Sequence, residues 1–390
     1  MGGGAVFRRL FPLHPQGSAA VKAFAPYRLW LPVALLILVG FVAVASAGDA
    51  GRFAKQLVWA AAGTVLAVAV IVIGLDNLIR YAWHFYAAGL AALVLVLFTR
   101  PVNDVRAWFD LGAFKVQPAE LFRPILLLVL ASFLGGRMDA EFTLFRGGWR
   151  REAAKYFFAA ALVLPPVVLV LLEPDVGVAL ALLWLAAAVV FASGISWRMA
   201  AAGTAACSLA AAAACRWMLL PSQKARISAW LDPAAHSAGA AWQMLRSRLA
   251  VGSGGFWGKG WGRGEMNRLG LLPVNDSDFI FSVVAEELGF ATVMIITALY
   301  VWILWECVLA AARADKPSGM LVAVGVGCYL AGQAALNMGV AVGLLPTTGV
   351  TLPFVSYGGS SMVSNMVMVA MAVSAAAGAR STRKGGEDVV

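Results

Sequence analysis

Asn275-Asp-Ser-Asp278 stands directly before the apolar run Phe279-Ile-Phe281, and Glu286-Glu287 follow inside that run. A carboxylate where a polar segment meets an apolar helix can sit at the mouth of a cavity and act there as a general base. Asp278 is the candidate. The plainer use of Asp276 or Asp278 is to cap the helix that follows. Glu286 falls about two turns deeper, roughly 12 Å at 1.5 Å per residue.

Four other stretches carry groups that chemistry could use. In Arg106-Ala-Trp-Phe-Asp-Leu-Gly-Ala-Phe-Lys115, two cations are spaced to hold a phosphate. The segment reads as amphipathic and leads through Gln117 into an apolar helix with Glu120 and Arg123 about a turn apart. Ionisable groups inside such a helix point to function by default, with a plain ion pair as the alternative. Glu173-Pro-Asp-Val-Gly177 reads as a tight turn in which Asp175 caps the next helix and Glu173 lines a cavity. Gly252-Ser-Gly-Gly-Phe-Trp-Gly-Lys-Gly-Trp-Gly-Arg-Gly264 lacks both glycine spacings of a nucleotide loop. It reads as a flexible outer loop with Trp257 and Trp261 at the membrane interface. Gly343-Leu-Leu-Pro-Thr-Thr-Gly-Val-Thr-Leu-Pro-Phe-Val-Ser-Tyr-Gly-Gly-Ser-Ser361 is a polar loop between two apolar runs. Hydrocarbon cannot satisfy its bare backbone, so it must lie at an interface or line a protected cavity. Ser356, Ser360 and Ser361 serve there as hydroxyl ligands or caps, and Gln333 and Asn337 read as hydrogen-bonding between helices.

The elements that must position these groups are membrane helices. The chain is 61% hydrophobic and 13% charged, where soluble domains carry about 25% charge. A span needs about 20 mostly apolar residues. Ten such runs lie near 29–47, 57–75, 81–99, 119–136, 156–173, 176–193, 199–219, 279–310, 318–342 and 361–379. The fold class is therefore an all-α integral membrane protein. A tail over 1–28, a membrane domain over 29–379 and a tail over 380–390 make up the chain, and the longest segment between spans is 220–278. Residues 1–27 lack the apolar centre of a signal peptide, so the first run is read as a retained span.

Arg80, Arg146, Arg150, Arg151, Arg198, Arg313 and Lys316 all fall on one side of this arrangement. The positive-inside rule makes that side cytoplasmic, with both termini there. All four chemical segments outside the spans then meet on the outer face. The net charge of +10 reflects this placement and not nucleic-acid binding. His14, His84 and His236 give no metal spacing, and the four cysteines read as small packing residues.

In order and spacing, the 106–123, 173–177, 277–290 and 343–361 segments resemble the SEDS family (shape, elongation, division and sporulation). The resemblance covers about residues 28–378. It implies ten spans with one large extracytoplasmic loop, in the cytoplasmic (inner) membrane of a bacterium. It also implies glycosyltransferase activity that polymerises lipid II, the undecaprenyl-pyrophosphate-linked precursor of peptidoglycan. The family's essential aspartate precedes its Phe-Ile-Phe segment, which carries onto Asp278. Substrate contacts carry onto Arg106, Lys115, Gln117, Glu120 and Arg123, and onto Glu173, Asp175, Ser356 and Ser360.

A class B penicillin-binding protein (a transpeptidase) and other divisome proteins are the implied partners. No cofactor is required by the resemblance, apart from a divalent cation, Mg²⁺ or Mn²⁺, on the pyrophosphate. Thr351-Leu-Pro353 is similar to the division (FtsW-like) branch more than to the elongation (RodA-like) branch. Asp276 stands where the family often has His, and like-charge repulsion would then raise the carboxyl of Asp278. A transporter or flippase of the same lipid is the competing class, with Glu120, Glu286 and Glu287 as its buried carboxylates.

Overall fold

The computed structural model describes residues 28–100, 106–112, 114–137, 148–217, 221–233, 240–272 and 274–377. The expected terminal tails thus lie outside the described residues, Arg28 and residues up to Ala377 excepted.

Each apolar run forms a helix. They are α1 (Trp30–Ala47), α2 (Ala50–Ile73), the short α3 (Leu75–Arg80), α4 (Ala82–Val96), α5 (Pro118–Ser132), α6 (Gly148–Leu172), α7 (Val176–Ala192) and α8 (Trp197–Trp217). After the 220–278 segment come α12 (Ile280–Arg313), α13 (Pro317–Ala341) and α14 (Gly359–Ala377). Among the described residues seven are long and apolar enough to cross a membrane, namely α1, α2, α5 with its π-helical extension, α6, α12, α13 and α14. Two apolar helices, α4 and α7, are shorter. The run expected as the seventh span forms α8, which is not among these nine. α2 starts earlier than its apolar run because Asp49 caps it, accepting from the backbone N–H of Arg52 at 2.7 Å. That cap draws Arg52 and Lys55 into the helix. α6 carries Pro165 and Pro166 within it.

Burial separates inner from outer helices. Nearly all of α5 and α14 is buried, and both carry polar side chains, Glu120 and Arg123 on the one and Ser360, Ser364 and Asn365 on the other, as expected for helices inside a membrane bundle. α2 and α14 pack together, as do α12 with α13, α13 with α7, and α4 with α5. The outer helices expose Leu31, Leu38, Val65, Val72, Phe157 and Leu172, which is the apolar surface a bilayer covers. Cys207 is exposed on α8 while Cys307 is buried, so only the latter fits the packing role read from sequence.

Two segments depart from their sequence readings. The segment before α5, read as amphipathic and running into the span, forms a short hairpin. Phe109–Asp110 (β1) and Lys115–Val116 (β2) pair antiparallel, Asp110 opposite Lys115, and α5 begins only at Pro118. Residues 252–264 are not a flexible loop. The described parts of the 220–278 segment hold α9 (Pro221–Leu231), α10 (Ala240–Ser253) and α11 (Glu265–Arg268), and the glycine-rich stretch is docked onto a broken helix.

The break is at Gly289, where α12 takes φ 77°. In an unbroken helix Phe290 and Ala291 would donate to the carbonyls of Glu286 and Glu287. Here they donate instead to Gly255 O (2.9 Å) and Phe256 O (3.0 Å). The freed carbonyls of Glu286 and Glu287 accept from Lys259 N and Gly260 N, both at 3.0 Å. Four backbone groups that an apolar setting could not leave bare are thus all paired. The two side chains complete the dock. Glu286 accepts from Lys259 Nζ (2.9 Å) and Glu265 N (2.9 Å), and Glu287 from Ser46 Oγ (2.5 Å), Gly262 N (3.0 Å) and Asn267 Nδ2 (3.0 Å).

Candidate functional site

Asp278 is not a cap. The residue capping α12 is Phe279, with no side-chain hydrogen bond to the helix. The Asp278 carboxylate is half-buried and receives the hydroxyl of Ser277 at 3.1 Å. It lines a small cavity with Arg226 of α9, Gln243 of α10, Val340 of α13, and Thr347, Gly349 and Val350 of the Gly343–Ser361 loop. The cavity volume is about 30 Å³, room for water and not for a sugar ring. Burial pushes the Asp278 carboxyl up to about 6, against the opposing effects of the Ser277 hydrogen bond and the Arg226 charge; the carboxylates of Asp175 and Asp276 add to the rise. Repulsion from Asp276, expected from the sequence, is therefore a minor cause. Asp276 is ion-paired with Arg52 of α2, which offsets its charge.

The loop over this cavity is held from all sides. Asn337 donates both amide hydrogens, to Asp278 O at 2.9 Å and Val350 O at 2.7 Å. Gln333 donates to Thr351 O at 3.0 Å. Gln333 binds the loop and Asn337 bridges the loop to the turn before α12, where the sequence reads both as hydrogen-bonding between helices. Ser356 accepts from Leu352 N (2.8 Å) and donates to Ser277 O (2.5 Å), while Tyr357 N donates to Asp276 O (2.8 Å). Tyr300 donates its hydroxyl to Pro353 O at 2.5 Å. Trp230 of α9 and Arg248 of α10 both donate to Gly343 O, at 3.3 and 2.6 Å. The turn that presents Asp278 includes Val274 at φ 54°, and the loop includes Phe354 at φ 67°. Both are strained conformations of the kind stored at functional sites.

Asn337→Ala is expected to leave two buried carbonyls with one partner fewer, at roughly 1–3 kcal/mol each. Thermal unfolding in detergent should register that loss. Polymer formed per mole of folded protein should fall as well, because the backbone behind Asp278 is released.

A second polar cluster adjoins the first. Gln117 donates Nε2 to Asp175 Oδ2 at 2.8 Å, and its backbone N–H goes to Ser360 Oγ at 2.9 Å. Asp175 also caps α7 through Val178 N at 3.0 Å, as expected. Arg123 Nη2 donates to Glu120 Oε1 at 3.0 Å, both groups buried, so the ion-pair reading of these two holds. Arg123 also lies over the ring of Tyr329, 5.7 Å from its centroid. The Glu173 carboxylate is fully buried, and among the described residues both its oxygens lack a hydrogen bond. Burial, with Asp175 nearby, raises its carboxyl to about 8, so it is a neutral acid at pH 7. α7 approaches the loop so closely that a Cβ on Gly177 would strike the carbonyl of Thr348. This contact joins the two clusters.

The structure thus gathers Gln117, Glu120, Arg123, Glu173, Asp175 and Ser360 in or beside the second cluster and sets Ser356 behind the loop; none of these lines the Asp278 cavity. It leaves Arg106 and Lys115 exposed on the hairpin, neither lining that cavity. Among the described residues no three His, Cys, Asp or Glu side chains are gathered as a metal cage; a cation held by one or two carboxylates and the substrate's phosphates needs no such cage. Sequence reading passed over Arg226 and Arg52. Arg226 is one of several basic residues in a long segment, with nothing in its spacing to single it out.

A polytopic helical bundle with a titratable carboxylate beneath its one long extramembrane segment defines a membrane protein with a protected polar site. The FtsW/RodA/SpoVE cell cycle protein model matches residues 22–381, and the chain belongs to this family. It is 36% identical over 362 residues to the probable peptidoglycan glycosyltransferase FtsW of Halorhodospira halophila (strain DSM 244 / SL1), covering 88% of each chain. To the peptidoglycan glycosyltransferase MrdB of Escherichia coli (strain K12) it is 32% identical over 342 residues, 87% of this chain and 89% of that one. Among solved structures, a chain from a peptidoglycan synthase complex, studied for how polymerization and crosslinking are coordinated, matches with TM-score 0.77 at 32% identity. The match covers 91% of this chain and 98% of that one. The rod shape determining protein RodA of Thermus thermophilus matches with TM-score 0.67 at 31% identity, over 91% and 97%.

Proposed function

We infer that this protein is a peptidoglycan glycosyltransferase that polymerises lipid II. The observation that carries the reading is the Asp278 carboxylate, free of capping duty and facing a cavity, in a chain of this family. The acceptor 4-hydroxyl gives its proton to Asp278 as its oxygen bonds to the donor's anomeric carbon. The bond from that carbon to pyrophosphate breaks, and undecaprenyl pyrophosphate leaves. The α-linked donor becomes a β-linkage in one inverting displacement.

Gln117, Asp175, Glu120 and Arg123 brace the site from α5 and α7. Ser356 and Ser360 already bond the backbone, so they position the loop. Arg106 and Lys115 meet the charged headgroup at the membrane surface. A divalent cation would arrive with the pyrophosphate.

The cavity is too small for a sugar, so polymerisation requires it to open. A class B penicillin-binding protein, bound in a larger division assembly, supplies that opening. Septal synthesis is the favoured role, supported by the FtsW relative; the MrdB and RodA likenesses keep elongation as the alternative. The membrane is the bacterial cytoplasmic one with both termini inside, supported by the basic residues on that face. The flippase reading loses its main support, because Glu286 and Glu287 are committed to the glycine-rich dock.

The test is purified protein, alone and with its transpeptidase, given lipid II. Glycan polymer supports the reading. Lipid translocation in vesicles with no polymer from either preparation would replace it with transport.

A further inference from the structure

Several cations stand near the two polar clusters, and nearly all are committed. Arg52 is paired with Asp276, Arg123 with Glu120, and Lys259 with Glu286. Arg248 holds the carbonyl of Gly343. On the hairpin, Arg106 reaches Leu97 O at 3.5 Å, and Lys115 lies opposite Asp110. Arg226 differs from all of these. Among the described residues it is the only cation lining the cavity of Asp278, its side chain is exposed, and its guanidinium donates no hydrogen bond. α9 is also anchored independently of it, through Trp230 to Gly343 O. An unengaged planar fork of N–H donors, held at the mouth of a cavity beside a base, is suited to a phosphate.

We propose that Arg226 binds the diphosphate of the polyprenyl-linked donor and holds it beside Asp278 during the displacement. This rests on the polymerase reading and moves the diphosphate from Arg106 and Lys115 into the cavity mouth. As the bond between the anomeric carbon and the diphosphate oxygen breaks, the electron pair stays on that oxygen. Arg226 neutralises the charge that develops there. The pairing also links binding to basicity. Without donor, the guanidinium opposes the charge of Asp278 and holds its carboxyl down. Once the diphosphate occupies the guanidinium, that counter-charge is taken up and a negative neighbour is added, so the carboxylate accepts a proton more readily.

The experiment uses the full chain in detergent with its transpeptidase. It compares wild type with Arg226→Gln, Arg226→Lys, Arg106→Gln and Lys115→Gln. Binding of a polyprenyl diphosphate is measured in an Asp278→Asn background, where no turnover intervenes, and initial rates are measured against lipid II. Arg226→Gln is expected to weaken diphosphate binding and raise the donor KM by about tenfold or more, with Arg226→Lys recovering part of each. The exposed position makes misfolding an unneeded explanation, and an unchanged melting curve checks this. Undiminished binding in Arg226→Gln, or loss only in Arg106→Gln or Lys115→Gln, overturns the proposal and leaves the polymerase reading standing. A wild-type protein that neither binds the diphosphate nor forms polymer ends both.

Discussion

Asp278→Asn is expected to abolish glycan polymerisation while the protein still inserts and folds. The amide keeps the shape of the side chain and can still meet the Ser277 hydroxyl, but it cannot take a proton. Losing a general base costs typically about 10²–10⁴-fold in rate. The pH profile of the wild type carries the same prediction. With the Asp278 carboxyl at about 6, the basic form prevails at neutral pH, and polymerisation should fall about tenfold per pH unit on the acid side of that value.

Stability should move the other way. The folded protein holds this proton more tightly than the unfolded chain does, so the charged carboxylate weakens the fold progressively as pH rises from about 4 to about 6. Asp278→Asn escapes that penalty. At pH 7–8 it should unfold at a temperature no lower than wild type, with the difference closing toward pH 4. Polymerisation by a well-folded Asp278→Asn protein at more than a tenth of the wild-type rate would remove this residue as the base.

The largest expected effect on folding is at Gly258. Its φ is +81°, and an added Cβ would run into the carbonyl of Glu287, which accepts from Gly260 N. Gly258→Ala therefore combines roughly 1–2 kcal/mol for a left-handed backbone with roughly 1–3 kcal/mol for the overlap. The damage spreads, because the loop it displaces satisfies the backbone at the Gly289 break. Gly262→Ala is the matched control. Its φ of +67° carries the same backbone cost, but nothing lies within 4 Å of an added Cβ. Detergent-extracted Gly258→Ala should lose monodisperse protein on heating well before Gly262→Ala. Equal curves would mean that the dock does not hold α12 together.

The spans were readable because each apolar run has few ways to be stable in a bilayer, and the ends that moved did so for local reasons such as the Asp49 cap. Asp278 could be read from its place before Phe279, helped by the family resemblance. What escaped was non-local. No periodicity in Gly252–Gly264 says that its amides will meet the carbonyls of Glu286 and Glu287, since backbone pairing leaves no side-chain pattern. Asn337 and Gln333 were legible as polar groups inside a helix, but their partners were not, because a loop accepts hydrogen bonds as readily as a helix does. Arg226 differs from other exposed arginines only by what stands opposite it.

The pairing of α2 with α14 has a consequence for synthesis of the chain. Arg52 meets Asp276, Gln56 donates to Ser356 O, and the backbone N–H of Leu75 donates to Ser374 Oγ. Each contact joins the first fifth of the polypeptide to its last third. While the ribosome is still translating, α2 sits in the bilayer without the helix that covers its inner face, and Asp276 has no Tyr357 behind it. The turn that carries Asp278 is braced only once the loop before α14 is in place. A chain stopped before the 343–361 loop therefore lacks the contacts that hold the turn of Asp276 and Asp278 in place.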